Sequence, residues 1–392
     1  MTPAARIAAA IEVLDAVLAG EAAEKVLTGW ARGHRFAGSG DRAAIRDHVF
    51  DALRCRRSCA WVGGADTGRG LMLGAVRLAG GAPEEMFTGA RFAPAPVGAD
   101  EGGESLEDAP EAVRLDMPDW LMPPMAESLG DDCTPVLEAL RRRAPVFLRV
   151  NAAKAEVAEA RAALAEEGVS TRPHPLAETA LEVTENPRRV QGTRAYREGL
   201  VELQDAASQA VCAALPAGPG TRVLDYCAGG GGKALALAAR GAEVVAHDAD
   251  PRRMRDLPER ARRAGVRIET VATEALPSAG RFDLVLCDAP CSGSGAWRRS
   301  PEAKWRLTPA RLRELQEIQM DILLRSCDLV APGGTLAYAT CSLLAAENDR
   351  TVAAFRAAAP AWRLVDQRRW TPRDGGDGFY LAQLMRDETD PP

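Results

Sequence analysis

The chain has 392 residues, a formal net charge of -6 at pH 7 and an isoelectric point near 5.5, and its length is enough for about two or three domains with buried cores. Its nine cysteines are odd in number, form no C-x-x-C pair and accompany only four histidines, which argues against disulfide frameworks and zinc sites, so no metal is expected. Without a signal-peptide pattern or an apolar run near 18 residues, we expect a cytoplasmic, monomeric protein with no membrane span.

Residues 1–92 are predicted to form an all-helical domain. Apolar residues recur at helical spacing from Ile7 to Leu18, and a second such pattern begins at Ser39, a favourable first residue for a helix. Several arginines follow this second helix from Arg54 onward. They could contact a polyanion or could simply decorate a solvated helix end.

Residues 93–112 are predicted to be an acidic linker or a long loop. They are rich in Pro, Gly, Ala and acids, and such a segment has too few large apolar side chains to offset its loss of chain entropy. From Asp100 to Asp132 the chain carries eleven acids and one base, whereas Trp297 to Arg313 carries six Lys/Arg and one acid. The net negative charge of the chain thus comes partly from this one acidic segment, and a nucleic-acid partner is not excluded.

Residues 113–205 are predicted to form a helical connector followed by a small α/β subdomain. Its strands are expected at Phe147–Asn151 and Ala180–Val183, with an Ala/Glu-rich helix between them that ends at Gly168. Residues 206–392 are predicted to form an α/β domain, because from Arg222 onward short apolar runs alternate with helical segments. That alternation is typical of a parallel, doubly wound, Rossmann-like sheet.

A glycine-rich loop, Cys227–Lys233, joins the first predicted strand of this sheet to its helix. Its four glycines allow the backbone to approach a ligand closely. The loop fits a dinucleotide pattern weakly, but Asp225 at the end of the strand favours the ammonium group of S-adenosylmethionine over a pyrophosphate, and Asp248 ends the second strand, ready for ribose hydroxyls. We therefore favour a methyltransferase over an NAD-dependent dehydrogenase. A P-loop is excluded, since Ala234 follows the lysine.

Two cysteines follow later strands of the same sheet. Cys291 follows the apolar run Leu284–Cys287 and Asp288, and Cys341 follows Leu336–Ala339. Because parallel strands present their carboxyl ends at one edge of the sheet, we expect both thiols and the carboxylate to converge there. Either cysteine alone is more often an inert buried residue than a nucleophile.

Two thiols and an acid suit the methylation of a pyrimidine at carbon 5. A thiolate that adds to C6 makes C5 nucleophilic, and the adduct is later resolved when C5 loses its proton. Asp288 could hydrogen-bond the ring and stabilise the developing charge. A base inside a duplex is out of reach, so the target must be single-stranded or flipped out.

Aromatic residues alternate with cations in the segment after Cys291, a pattern suited to a splayed RNA base and its phosphates. The tryptophans could equally be packing residues. The candidate RNA-binding residues are Arg298, Arg299, Lys304 and Trp305.

Several segments together resemble the RsmB/Nop (Sun) family of RNA cytosine-5 methyltransferases, over roughly residues 145 to 386. They are Asp225–Lys233, Asp288-Ala-Pro-Cys291-Ser, Pro301-Glu-Ala-Lys-Trp305, Tyr338-Ala-Thr-Cys341-Ser, Glu347-Asn348, Gln204-Asp205 and Asp377–Tyr380. The N-terminal helices, with Gly38-Ser-Gly-Asp41-Arg42, are similar to the NusB-like RNA-binding domain of bacterial members. The resemblance implies a class I methyltransferase domain that uses S-adenosylmethionine on RNA, most simply 16S rRNA.

The resemblance also implies roles for individual residues. Cys341, in the T-C-S motif, would be the nucleophile and Cys291 would assist product release, an order that spacing alone does not give. Catalytic residues would then be Cys341, Cys291, Asp288 and Lys233, and the cofactor site would comprise Asp225, Cys227, Ala228, Gly229, Gly230, Gly231, Gly232, Lys233, Asp248, Thr273 and Asp288.

Two positions depart from the family pattern. Gly229-Gly230 replaces the usual Ala-Pro, which removes a fixed φ and predicts a more flexible loop. Thr273 or Glu274 stands where an aspartate would hold adenine. A tRNA target and a non-catalytic RNA-binding ribosome-assembly factor remain as alternatives, although a mere binder needs neither thiol.

Overall fold

The computed structural model describes residues 1–387, which divide into two compact units. The first comprises residues 1–143 together with 297–306, and the second comprises residues 144–296 together with the chain from residue 307 onward. Within the described residues, no helix has both the length and the apolar character needed to cross a bilayer.

The first unit is all helical. Its α-helices are α1 (Pro3–Leu18), α2 (Ala23–Gly33), α3 (Ser39–Arg54), α4 (Arg56–Gly63), α5 (Gly68–Leu78), α6 (Pro83–Met86), α7 (Glu111–Arg114), α8 (Met122–Leu129) and α9 (Cys133–Leu140). The helix starts follow local chemistry: Thr2 Oγ1 accepts from Ala5 N and a proline occupies the first turn of α1. The apolar faces of α1, α3 and α5 form one core around Leu14, Ile45 and Leu71.

The predicted linker, residues 93–112, is packed rather than free. The Arg69 guanidinium on α5 pairs with the Glu101 carboxylate, with Nη2 to Oε2 at 2.7 Å, and Trp61 Nε1 on α4 donates to Ser105 O at 3.1 Å. The prediction of a linker considered only apolar burial. This segment is instead held by polar side chains of the neighbouring helices.

A further helix of this unit, α15 (Pro301–Arg306), comes from far along the chain. Trp305 Nε1 donates to Leu53 O at 2.7 Å and Lys304 Nζ donates to Arg54 O at 3.2 Å, both at the end of α3. Arg54 Nε in turn donates to Arg298 O at 2.6 Å. The segment thus completes the helical unit.

These contacts contradict part of the predicted RNA surface. Lys304 is buried, and burial lowers the pKa of its ammonium to about 8. Arg298 is also buried, and the indole N–H of Trp305 already has its acceptor. Lys304 and Arg298 therefore act here as packing residues, whereas the half-buried Trp305 and Arg299 stay predictions.

The second unit begins with a four-stranded antiparallel sheet of order β2-β3-β1-β4. Its elements are β1 (Val146–Val150), α10 (Val157–Glu166), β2 (Thr171–Pro173), β3 (Ala180–Val183), α11 (Arg194–Arg197) and β4 (Val201–Leu203). The chain order β-α-β-β-α-β is that of a ferredoxin-like fold. Both predicted strands are present.

A seven-stranded sheet of order β10-β11-β9-β8-β5-β6-β7 makes up the rest of the unit. Its strands are β5 (Arg222–Asp225), β6 (Glu243–Ala246), β7 (Ile268–Thr270), β8 (Phe282–Asp288), β9 (Val330–Thr340), β10 (Trp362–Trp370) and β11 (Phe379–Arg386), and its helices are α12 (Ala206–Ala214), α13 (Gly232–Ala238), α14 (Leu257–Ala264), α16 (Pro309–Ser326) and α17 (Asp349–Ala358). Strands β5 to β9 are parallel, and β11 runs antiparallel to both its neighbours. The predicted Rossmann-like sheet is confirmed.

The order of the strands indicates where this sheet binds a ligand. Strand β5 lies between β6 and β8, so the chain direction across the sheet reverses there, and ligands of such sheets bind at the carboxyl ends of the strands beside that point. The predicted boundary at residues 205 and 206 does not separate compact units, because the small sheet and the large sheet fall in the same one. The edge strand β10 was not predicted.

Candidate active site

The two cysteines after β8 and β9 meet at the carboxyl edge of the sheet. Cys291 Sγ and Cys341 Sγ lie 3.4 Å apart, and both are free thiols. The pairing of β8 with β9 explains this, since Asp288 stands opposite Ala339 in the register and each cysteine follows within a few residues. The convergence predicted from the sheet rule is confirmed.

The environment of Cys291 keeps its thiol protonated. The hydrogen bond with Cys341, and then burial, raise the pKa of the Cys291 thiol well above its usual range. Cys291 therefore remains protonated at neutral pH and can donate its S–H to Cys341 Sγ. Cys291 is thus placed to be the hydrogen-bond donor of the pair.

A buried carboxylate, Glu347, holds the two cysteine loops together. Its Oε1 accepts from Ser292 N at 2.8 Å and from Gln319 Nε2 at 3.0 Å, while Oε2 accepts from the hydroxyls of Ser292 and Ser342, each at 2.5 Å. Ser292 follows Cys291 and Ser342 follows Cys341, so one side chain fixes the residue after each thiol. Sequence reasoning noted Glu347 only within a motif and did not assign it this place.

Lys233 and Asp288 form an ion pair beside the thiols. Lys233 Nζ lies 2.6 Å from Asp288 Oδ2, and the ammonium also lies 4.9 Å from the centre of the Phe379 ring. Burial opposes the charged form of Lys233, but the Asp288 carboxylate, together with contributions from Cys212 and Cys341, outweighs burial and raises its pKa. A permanent cation thus faces both the carboxylate and the T-C-S thiol.

The glycine loop has a shape that only glycines allow. Gly229 and Gly231 have φ of 51° and 78°, and a Cβ on Gly231 would lie 2.2 Å from Leu257 Cδ1. Arg149 on β1 donates to Gly232 O at 2.8 Å, so the small sheet also supports this loop. The greater flexibility expected from Gly229-Gly230 stays a prediction.

Asp225 is the residue of the site best suited to a cationic ligand. Its side chain is buried, and among the described residues no hydrogen bond of good geometry reaches either carboxylate oxygen. Burial, reinforced by Asp288, raises the pKa of Asp225 to about 7. An isolated buried carboxylate is costly, and the ammonium of S-adenosylmethionine would supply the partner that it lacks.

Asp248 and Thr273 lie just after the next two strands, β6 and β7, and both side chains already make hydrogen bonds within the protein. Asp248 accepts from Gly229 N and Asp250 N, each at 2.9 Å, which leaves lone pairs for ribose hydroxyls. Thr273 Oγ1 lies 2.9 Å from His247 Nε2, and His247 Nδ1 lies 2.7 Å from Tyr226 O. Since a carbonyl can only accept, His247 Nδ1 carries the proton and Thr273 donates to Nε2.

The remaining predicted cofactor residues, Cys227, Ala228 and Gly230, lie in the same loop between β5 and α13. Burial raises the pKa of Cys227 well above its usual range, which marks it as an inert thiol. The predicted cofactor residues thus lie at or just after the carboxyl ends of β5, β6, β7 and β8, with Gly232 and Lys233 in the first turn of α13. Their individual contacts with the cofactor remain predictions.

The sheet order, the glycine loop and the unpartnered Asp225 together define a class I S-adenosylmethionine-dependent methyltransferase. Residues 212–385 match the family model of the 16S rRNA methyltransferase RsmB/F, and residues 117–191 match that of the RsmF/B-like ferredoxin-like domain. The chain belongs to the RsmB/F methyltransferase family.

Relatives with established names support this membership. The chain is 35% identical over 300 residues to ribosomal RNA small subunit methyltransferase B of Vibrio cholerae, covering 73% of this chain and 69% of the relative. It is 34% identical over 297 residues to the protein of the same name from Thermus thermophilus, covering 71% and 67%.

Solved structures share the fold. The crystal structure of a methyltransferase homolog protein from Pyrococcus horikoshii is 25% identical and superposes with a TM-score of 0.61, covering 70% of this chain and 97% of that one. NSun6 from Pyrococcus horikoshii, solved with SFG, has the same TM-score at 18% identity, covering 70% and 99%.

Proposed function

We propose that the protein forms 5-methylcytosine in RNA, with 16S rRNA as its substrate, as a monomer in the cytoplasm. The observation that carries the proposal is the thiol pair, 3.4 Å apart, beside the Lys233–Asp288 ion pair. Methylation of an oxygen, a nitrogen or a phosphate needs no such pair, whereas C5 of cytosine becomes reactive only after a thiolate adds to C6. The names of the relatives support rRNA as the substrate class.

Cys341 is proposed as the nucleophile. In its thiolate form it receives the S–H of Cys291 and lies in the field of the Lys233 ammonium, and both stabilise the charge before attack. Addition of Sγ to C6 places negative charge on the ring. Asp288, one-third exposed and fixed by Lys233, is proposed to bind the base edge at N3 or the exocyclic amine.

S-adenosylmethionine, when bound, supplies an electrophilic methyl group to C5. A base must then accept the C5 proton, and the bond between Cys341 Sγ and C6 breaks as the double bond of the ring re-forms. Cys291 is proposed to assist this release, because its protonated thiol can donate to the departing thiolate. The target cytosine must be single-stranded or flipped out for Sγ to reach C6.

Single cysteine variants test these roles. Cys341→Ala should eliminate methyl transfer, and Cys291→Ala should accumulate a covalent protein–RNA adduct that survives denaturing electrophoresis. Cys327→Ala, which removes a half-buried thiol at the end of α16, is the matched control and should behave as wild type. Adducts formed by Cys341→Ala alone would reverse the two roles.

The substrate is tested by mapping 5-methylcytosine in 16S rRNA and tRNA from a strain that lacks the protein. We expect one cytosine of 16S rRNA to lose its methyl group and to regain it on complementation with the wild-type chain but not with Cys341→Ala. Loss confined to tRNA would overturn the rRNA assignment. An unchanged methylation pattern in both RNAs would instead support a non-catalytic assembly factor.

A further inference from the structure

A groove of about 550 Å³ lies on the helical unit between α2 and α3. Its floor is apolar and includes Leu27, Trp30 and Ile45, whose side chains are buried in the core of the unit. Its rim is formed largely by arginines. The lining arginines are Arg32, Arg35, Arg42 and Arg46, with Glu24 as the one acid among the lining residues.

Most of this positive charge is not neutralised. Arg46 is paired with Glu24, but the side chains of Arg32, Arg35 and Arg42 are exposed and make no ion pair or hydrogen bond with any described residue. Three free guanidinium groups around one groove concentrate positive charge at one place on a chain whose net charge is -6. They therefore indicate an anionic ligand.

An aromatic ladder begins at Trp30 in the floor of the same groove. Trp30 and His34 are stacked with ring centres 4.2 Å apart, and the His34 ring meets the Phe36 ring edge-on at 5.7 Å. Phe36 follows Arg35 in the loop after α2, and its side chain is 74% exposed. An exposed ring that packs on a second aromatic side chain and directly follows an unpaired arginine in sequence offers a surface on which an unpaired base can stack.

We propose that the α2–α3 groove binds a single-stranded segment of the RNA substrate, with phosphates on Arg32, Arg35 and Arg42 and a base stacked on Phe36. The proposal rests on the proposed function for the identity of the RNA. An acidic protein segment would satisfy the arginines but gives no reason for a propped, exposed ring at the end of the ladder. A duplex offers no free base face for Phe36.

The test uses the full-length chain with Arg32, Arg35 and Arg42 all changed to alanine. The control replaces three other exposed arginines whose side chains have no partner among the described residues, Arg267, Arg281 and Arg356, so the change in net charge is the same. A third variant is Phe36→Ala. Circular dichroism and thermal melts confirm that each variant folds, and S-adenosylmethionine affinity is measured on each.

With an unmodified 16S rRNA transcript, the groove variant should raise KM by at least about tenfold while kcat falls less than about twofold. The slope of log K against log salt should become shallower by about 2, because each phosphate contact on a single strand contributes about 0.7. Phe36→Ala should raise KM without changing the slope. The control variant should keep the wild-type KM and slope.

The proposal would be overturned if the groove variant and the control variant bound RNA with equal affinity. It would also be overturned if the groove variant kept its RNA affinity but no longer bound an acidic protein partner. Failure of the proposed function gives a different result. If the wild-type chain methylates no RNA but the groove variant still loses affinity for the transcript relative to the control, the groove stands and the proposed chemistry fails.

Discussion

Replacement of Glu347 offers the sharpest test of how the thiol pair is held. Glu347→Ala removes the acceptor of four hydrogen bonds that tie together the loops of Cys291 and Cys341. Two of the four donated hydrogens would lose their acceptor: the N–H of Ser292, which is fixed in the backbone, and one N–H of the Gln319 amide, whose other N–H stays bonded to Pro290 O. Each buried donor left unpaired costs about 2 kcal/mol, so the loss of stability should be about 4 kcal/mol before any cavity is counted.

Glu347→Gln is the matched variant, because the amide fits the same donors. Its carbonyl oxygen can replace Oε1 and accept from the two N–H groups, while its NH2 can replace Oε2 and donate to the hydroxyls of Ser292 and Ser342, which can rotate. Only the charge assistance is lost, at about 1 kcal/mol. We expect this variant to retain most of its methyl transfer.

Urea titration measures the free energy of unfolding of Glu347→Ala and Glu347→Gln. The kcat of each variant is measured at saturating RNA, well below its melting temperature, and reports whether the two thiols keep their geometry. Glu347→Ala should lose most of kcat, because its cysteine loops are no longer tied. Equal damage by Glu347→Gln and Glu347→Ala would show that the charge itself matters. Near wild-type stability for Glu347→Ala would refute the reasoning from unpaired donors.

Three further predictions concern the cofactor side of the site. Because the pKa of Asp225 is raised to about 7, the carboxylate that binds the ammonium group of S-adenosylmethionine is present in full only above about pH 7. The affinity for S-adenosylmethionine, measured by calorimetry, should therefore rise about tenfold per pH unit up to about pH 7 and then level off. The Asp225→Asn variant should bind S-adenosylmethionine weakly at every pH. Lys233→Met should lower the free energy of unfolding by about 2 kcal/mol, after allowance for the exposed part of Asp288. In urea titrations, the double variant with Asp288→Asn should recover part of that loss. If the effects of the two substitutions simply add, the two side chains do not interact directly. Gly231→Ala should weaken cofactor binding more than about tenfold, because the added Cβ would collide with Leu257. Gly220→Ala is the matched control, since Gly220 also has a positive φ, 81°, but has open space around the added Cβ. This control should lower the free energy of unfolding by about 1 kcal/mol and leave cofactor affinity unchanged.

The sheet and the thiol pair could be predicted because their signals are local. Buried parallel strands are continuous apolar runs, so β5, β6, β8 and β9 stand out, and the rule for carboxyl ends then brings Cys291 and Cys341 together. Spacing could not say which thiol attacks, since that depends on the field around each sulfur.

Other features depend on contacts that no local pattern contains. The cation and aromatic cluster at Lys304 and Trp305 has the composition of an RNA surface, yet both side chains find backbone acceptors at the end of α3, about 250 residues earlier. Glu347 has an ordinary surface composition around it in sequence, and only the fold shows that it is buried. Strand β10 alternates partly buried and exposed residues at the sheet edge, which gives a weak apolar signal.

The helical unit is discontinuous in sequence, and this has a consequence for synthesis. Helix α15 supplies Lys304 and Trp305 to the end of α3, so the unit lacks one of its parts until residue 306 has left the ribosome. At about 5–20 residues per second, the wait between residue 143 and residue 306 lasts roughly 8–30 s. During that interval the backbone carbonyls of Leu53 and Arg54 have no partner from α15, and a nascent chain stalled before residue 297 should be more sensitive to protease at the end of α3 than one released past residue 306.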